Sequence, residues 1–228
     1  AGNAATDVAG NGNSEATSFT YTYDTTLPTV SISSTANPTN SNPVIVTFTF
    51  SEPVTGFTKD DITVYGGSKG NFSGTGTSYT LEVTPSGQGT ITADVAAGVA
   101  IDLAGNANTA ASQFSTVFDS VKPSVSITST ANNPTNASQF TVIITFSESV
   151  TNFSAGDITV VGGTPSNFIG SGSSYSIDIA PTSSGTVTVD IGAVVAQDAA
   201  GNDNTAASQF SILSDSSGPS VTLSSTTT

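Results

Sequence analysis

The chain has no cysteine, histidine, methionine, tryptophan or arginine, and its only cationic side chains are Lys59, Lys69 and Lys122. Each absence removes a chemistry. Without cysteine there are neither disulfides nor thiolate metal sites. Without His, Cys and Arg, no charge-relay triad, thiol nucleophile or arginine clamp can be assembled. Seventeen Asp and Glu against three Lys give a net charge of −14. Nothing is therefore available to displace the counterions of nucleic acid, and anionic membranes are disfavoured for the same reason. Divalent cations are the natural complement. No apolar run approaches the roughly 18 residues of a membrane-spanning helix, no secretory leader is visible, and no stretch shows helical periodicity.

What is present repeats. The pattern D-x-A-G-N-x-N occurs at Asp7–Asn13, Asp102–Asn108 and Asp198–Asn204, at intervals of 95 and 96 residues. A motif returning at that interval marks tandem domains. Residues 1–27 read as the last part of a preceding repeat plus linker, 28–122 as repeat one, 123–218 as repeat two, and 219–228 as the first strand of a following repeat. The whole resembles a window on a longer array. Within each repeat the apolar residues alternate with period two. Val44, Val46, Phe48 and Phe50 have counterparts in Phe140, Val142, Ile144 and Phe146, and Tyr79, Leu81 and Val83 in Tyr175, Ile177 and Ile179.

Strands are expected at Thr29–Ser33, Val44–Phe50, Ile62–Tyr65, Tyr79–Thr84, Thr90–Val95 and Phe114–Phe118. Pro53 is expected to end the second of these. Further strands are expected at Phe19–Tyr23 and Val221–Ser224, and Gly66-Gly67 and Gly162-Gly163 read as hairpin turns. Short strands separated by turns, in units of about 95 residues, predict an all-β chain of tandem immunoglobulin-like β-sandwiches. Phe57, Phe72 and Phe114, with Phe153, Phe168 and Phe210, are expected to complete two cores.

That topology brings acids together. The loop after the second strand, the loop before the last strand and the entry of the first strand share one pole of a sandwich. Repeat one places Asp24, Glu52, Asp61, Asp102, Asn106 and Asn108 there. Repeat two places Asp119, Glu148, Asp157, Asp198, Asn202 and Asn204. Crowded carboxylates repel unless a cation sits between them, and oxygen ligands without His or Cys favour Ca²⁺. The plain alternative is turn chemistry, since Asp and Asn bond readily to nearby backbone. Glu82, Asp94, Asp178 and Asp190 recur in register too, but they alternate with core residues and read as a solvated face.

The run Phe50-Ser51-Glu52-Pro53-Val54-Thr55-Gly56-Phe57, then Asp61-Ile62-Thr63-Val64, then Asp102-Leu103-Ala104-Gly105-Asn106 resembles the bacterial immunoglobulin-like repeat of very large surface adhesins. Repeat two matches with Phe146–Phe153, Asp157–Val160 and Asp198–Asn202, Ser149 replacing the proline. The resemblance implies an extracellular, cell-surface protein whose tandem repeats extend a binding tip, with calcium between domains; biofilm and gliding-motility adhesins are built this way. Its partners are then adjacent repeats of the same chain, with surface glycans and host or abiotic surfaces met through other domains, and lateral self-association left open. The leading reading is a calcium-stiffened stalk. The alternative is a ligand-binding module for glycan or protein. An enzyme lacks its residues.

Overall fold

The structure, a computed structural model, describes residues 2–225. Repeat one comprises β1 (Val30–Ser34), β2 (Val44–Val54), β3 (Ile62–Tyr65), β4 (Gly67–Pro85), β5 (Gly89–Val95) and β6 (Phe114–Phe118). Repeat two comprises β7 (Val125–Ser129), β8 (Phe140–Val150), β9 (Ile158–Val161), β10 (Gly163–Pro181), β11 (Gly185–Ile191) and β12 (Phe210–Ser214). Each repeat packs two antiparallel sheets, ordered β1-β2-β4 and β3-β5-β6 in the first, β7-β8-β10 and β9-β11-β12 in the second. These are the expected all-β immunoglobulin-like sandwiches.

The period-two pattern sets the layers. On β2, Val44, Val46, Phe48 and Phe50 are buried, and Tyr79, Leu81 and Val83 of β4 lie in the same interior. Burying one such side chain contributes roughly 1.5–3 kcal/mol, and each repeat has its own cluster with no shared member. Phe57 and Phe153 are buried, whereas Phe72, Phe114, Phe168 and Phe210 are only half-buried at the margin. Beneath the end of β2, Phe50, Phe57 and Tyr79 meet edge to face, and Phe72 stacks on Tyr79 at 5.7 Å. Phe146, Phe153, Phe168 and Tyr175 rebuild this arrangement. One exchange compensates another: repeat one buries Thr116 and Phe118 where repeat two buries Ile212 and Ser214.

Several expectations need correction. β2 runs on through Glu52 and Pro53 to Val54. Its pairing with β1 ends at Phe50 and its ladder to β4 is interrupted between Thr49 and Val54, so Pro53 has no ladder bond to lose. Gly66-Gly67 and Gly162-Gly163 are not hairpin turns; they join strands of different sheets. Gly66, at φ +80°, approaches the Thr90 carbonyl so closely that a Cβ there would overlap it. β4 is longer than expected because it doubles back: Ser73 meets Thr80 at 3.0 Å and the Asn71 amide reaches Glu82 at 2.9 Å.

Neither Phe19–Tyr23 nor Val221–Ser224 is a strand. In each repeat the last strand pairs with the strand before it, as β6 does with β5, and the first with the second, as β1 does with β2. Residues 2–18 and 225 offer no such partner among the described residues, so Phe19, Tyr21 and Tyr23 stand exposed rather than facing a core, as do Val221 and Leu223.

Candidate metal centres

Alternation carries the key glutamate to its place. Phe50 and Val54 flank Glu52 at two-residue spacing and are buried, so Glu52 faces the same interior side, at the open end of the sandwich. Ala100 and Asp102 are likewise buried, with exposed Ile101 between them. A short bridge joins the two segments: Thr55 and Ile101 exchange backbone hydrogen bonds of 2.8 and 3.0 Å. The linker supplies the third acid. One carboxylate oxygen from each of Asp24, Glu52 and Asp102 lies within 4.8 Å of the others. Asp119, Glu148 and Asp198 form the same group in repeat two, with Glu148 flanked by buried Phe146 and Val150.

The acid loop is a closed turn. Asp102 Oδ1 accepts the Asn106 backbone N–H and Oδ2 accepts its side-chain amide, both at 2.8 Å. Asp198 is bound identically by Asn202. Gly105 and Gly201 adopt φ +94° and +89°, a conformation glycine enters without steric cost. The Asp7 loop closes the same way through Asn11, and among the described residues no glutamate or linker acid lies beside it. D-x-A-G-N is therefore turn chemistry in its own right, and the added Glu and linker Asp make the acid group.

The amides orient rather than add carboxylate charge. Asn106 Nδ2 also donates to the Asp24 carbonyl at 3.2 Å, and Asn202 Nδ2 to the Asp119 carbonyl at 2.9 Å. Asn108 and Asn204 point into the fold: Asn108 Oδ1 accepts Val99 and Ala100 N–H, while Nδ2 donates to the Ala96 and Thr109 carbonyls. Asn204 repeats all four bonds. Asp61 and Asp157, expected as ligands, stand apart from the groups. Each closes a single 3₁₀ turn by accepting the N–H and hydroxyl of Thr58 or Ser154 at 2.7–2.8 Å. A short polar side chain three residues upstream is a capping signal, and it was legible in T-x-x-D and S-x-x-D.

Electrostatics follow from this packing. Burial, reinforced by Asp102 and Asp24, raises the Glu52 carboxyl above its ordinary value, and burial with Asp198 and Asp119 does the same to Glu148. Burial also pushes Asp102 upward, but the bonds from the Asn106 side chain and backbone and from Gly105 and Ala104 outweigh it, and the net shift is downward. Two oxygens bound to one calcium ion lie at most about 5 Å apart, twice its usual bond length. The three-carboxylate groups meet that condition.

Sequence reasoning missed what fixes the linker. Asp119 N–H donates to the Thr39 carbonyl at 2.9 Å, and Ser120 and Gln88 exchange two hydrogen bonds of 2.8 and 3.0 Å. The recurring N-P-T-N of Asn37–Asn40 and Asn133–Asn136 was the available signal.

Two tandem immunoglobulin-like sandwiches, each with three carboxylates at the pole where a linker enters, define a class of modular repeat protein. The family model for the bacterial Ig-like domain matches residues 24–117 and again 119–213. The chain belongs to that family. Among solved structures it is similar to the Yersinia pseudotuberculosis adhesin InvE, at 13% identity and a TM-score of 0.29 over 82% of this chain and 58% of that one. No curated protein matches the sequence.

Proposed function

We propose that these repeats are the stalk of a long extracellular bacterial surface protein of the adhesin type, stiffened by calcium at the domain junctions, with no catalytic role. The observation that carries this reading is the composition of each acid group: one acid from the end of the second strand, one from the acid loop, and one from the linker. An ion held by all three ties the linker to the body of the repeat it enters. In this reading Asp24, Glu52 and Asp102 hold one ion, and Asp119, Glu148 and Asp198 another.

Calcium at about ten times its dissociation constant contributes on the order of 1.4 kcal/mol per site. That is modest for folding, yet it favours a straight over a bent junction about tenfold. Calorimetric titration of the ion-free chain with calcium tests the reading. Two sites are expected, and Glu148→Gln should weaken one and leave the other. Titration without binding heat, and without any change in melting, would overturn it.

A further inference from the structure

The junction between the two repeats has a second tie, independent of any ion. Asn40 of the β1–β2 loop in repeat one donates from Nδ2 to Asn202 Oδ1 in repeat two, at 3.2 Å. The same Nδ2 lies 3.7 Å from where a Cβ on Gly201 would stand. Asn202 is thereby engaged on every side: its amide nitrogen holds Asp198 Oδ2 and the Asp119 carbonyl, and its oxygen takes Asn40. Next to Asn40, Thr39 accepts the Asp119 N–H and donates its own N–H to Val117. Residues 39 and 40 therefore grip the linker and the following repeat together.

We infer that the turn Asn37-Pro38-Thr39-Asn40 is a docking surface for the acid loop of the next repeat, and that it sets one preferred orientation of repeat two on repeat one without metal. Two further observations fit. Asn202 is buried, whereas Asn106, which faces no such turn, is only half-buried. In repeat two the equivalent turn, Asn133-Pro134-Thr135-Asn136, keeps the inner half of the device, since Thr135 N–H donates to the Leu213 carbonyl and Asp215 N–H to Thr135. Its outer half, Asn136, is exposed, as Asn40 is, but has no repeat opposite it among the described residues. Asn136 and Asn106 are thus the donor and acceptor halves of the same contact, each facing no partner repeat among the described residues. The occupant of the turn is accordingly another repeat of this kind, presenting D-x-A-G-N.

Residual dipolar couplings of both repeats, recorded in EDTA, test this. Wild type should show one preferred relative orientation. Asn40→Ala should reduce the docked population relative to undocked about two- to tenfold, the scale of one hydrogen bond, and so should Asn40→Asp, which keeps the shape but replaces the donor. Asn136→Ala serves as the control and should change nothing. If the repeats of wild type in EDTA reorient as freely as those of Asn40→Ala, the inference is overturned, even where calcium binding persists. If orientation in EDTA depends on Asn40 while calcium never binds, the docking surface stands and the calcium reading fails.

Discussion

The two junctions carry the same three acids and differ in what stands opposite them. Asn202 at the second faces Asn40 of repeat one, whereas Asn106 at the first has no repeat opposite it among the described residues. The carboxylate geometry survives this change of neighbour; the burial of Asn106 and Asn202 does not. The acid group is thus a property of one repeat and its linker, and the orientation contact is a property of two repeats. The Asp7 loop extends the comparison, because it keeps the turn with no glutamate or linker acid beside it among the described residues.

The largest effect should be one that the junctions share. Asn108→Ala and Asn204→Ala each strip partners from two backbone N–H and two backbone C=O groups. Leaving these buried and half-buried groups unpaired should cost about 3 kcal/mol in the affected repeat, read as loss of one of two unfolding transitions in urea. Unequal losses in the two repeats would break the equivalence of the loops.

Calcium withdrawal ranks next. At about ten times the dissociation constant, removing the ion should lower the melting temperature by roughly 5–10 °C in each repeat. Smaller still, Asp61→Ala and Asp157→Ala should each cost about 1 kcal/mol through the lost cap. Their calcium titrations should match wild type, and a weakened titration would return these acids to the ligand set.

The smallest effect is on pH dependence. Glu52 and Glu148 are raised above 4.5 on folding, so they bind protons more tightly folded than unfolded. Ion-free protein should therefore gain stability as pH falls through their raised values toward 4.5. Asp7, Asp102 and Asp178 are lowered below 3.8; the stability they add above 3.8 is lost as pH falls through their lowered values. With calcium bound the first trend should reverse, because protons compete with the ion. Melting temperatures across pH in EDTA and in calcium separate the two cases.

Much of this was legible in the sequence because two periodicities coincide. Period-two alternation located β2, β3, β5 and β6 and their inward faces, and the repeat of about 95 residues paired each core position with its counterpart. The convergence of Glu52 with Asp102 followed from topology. Asp61 was misplaced because nearness to a pole in sequence does not say which way a carboxylate turns, and a local backbone donor wins over a distant cation. Asn108 was misassigned for the same reason: its side chain has four backbone partners within the loop. The recurring N-P-T-N marked Asn40 as part of a repeated turn, but its partner lies 162 residues away, and that pattern does not say what the turn touches in the next domain. The strands expected at Phe19–Tyr23 and Val221–Ser224 had the right composition but no ladder to join among the described residues.

Small-angle scattering of the chain, first in calcium and then in excess EDTA, tests the central claim most directly. Acid groups that clamp the linkers predict a longer maximum dimension and a narrower distribution of interdomain distances in calcium, with broadening in EDTA. Superimposable profiles in the two buffers, with unchanged melting, would contradict the account and leave the acid loops as turns.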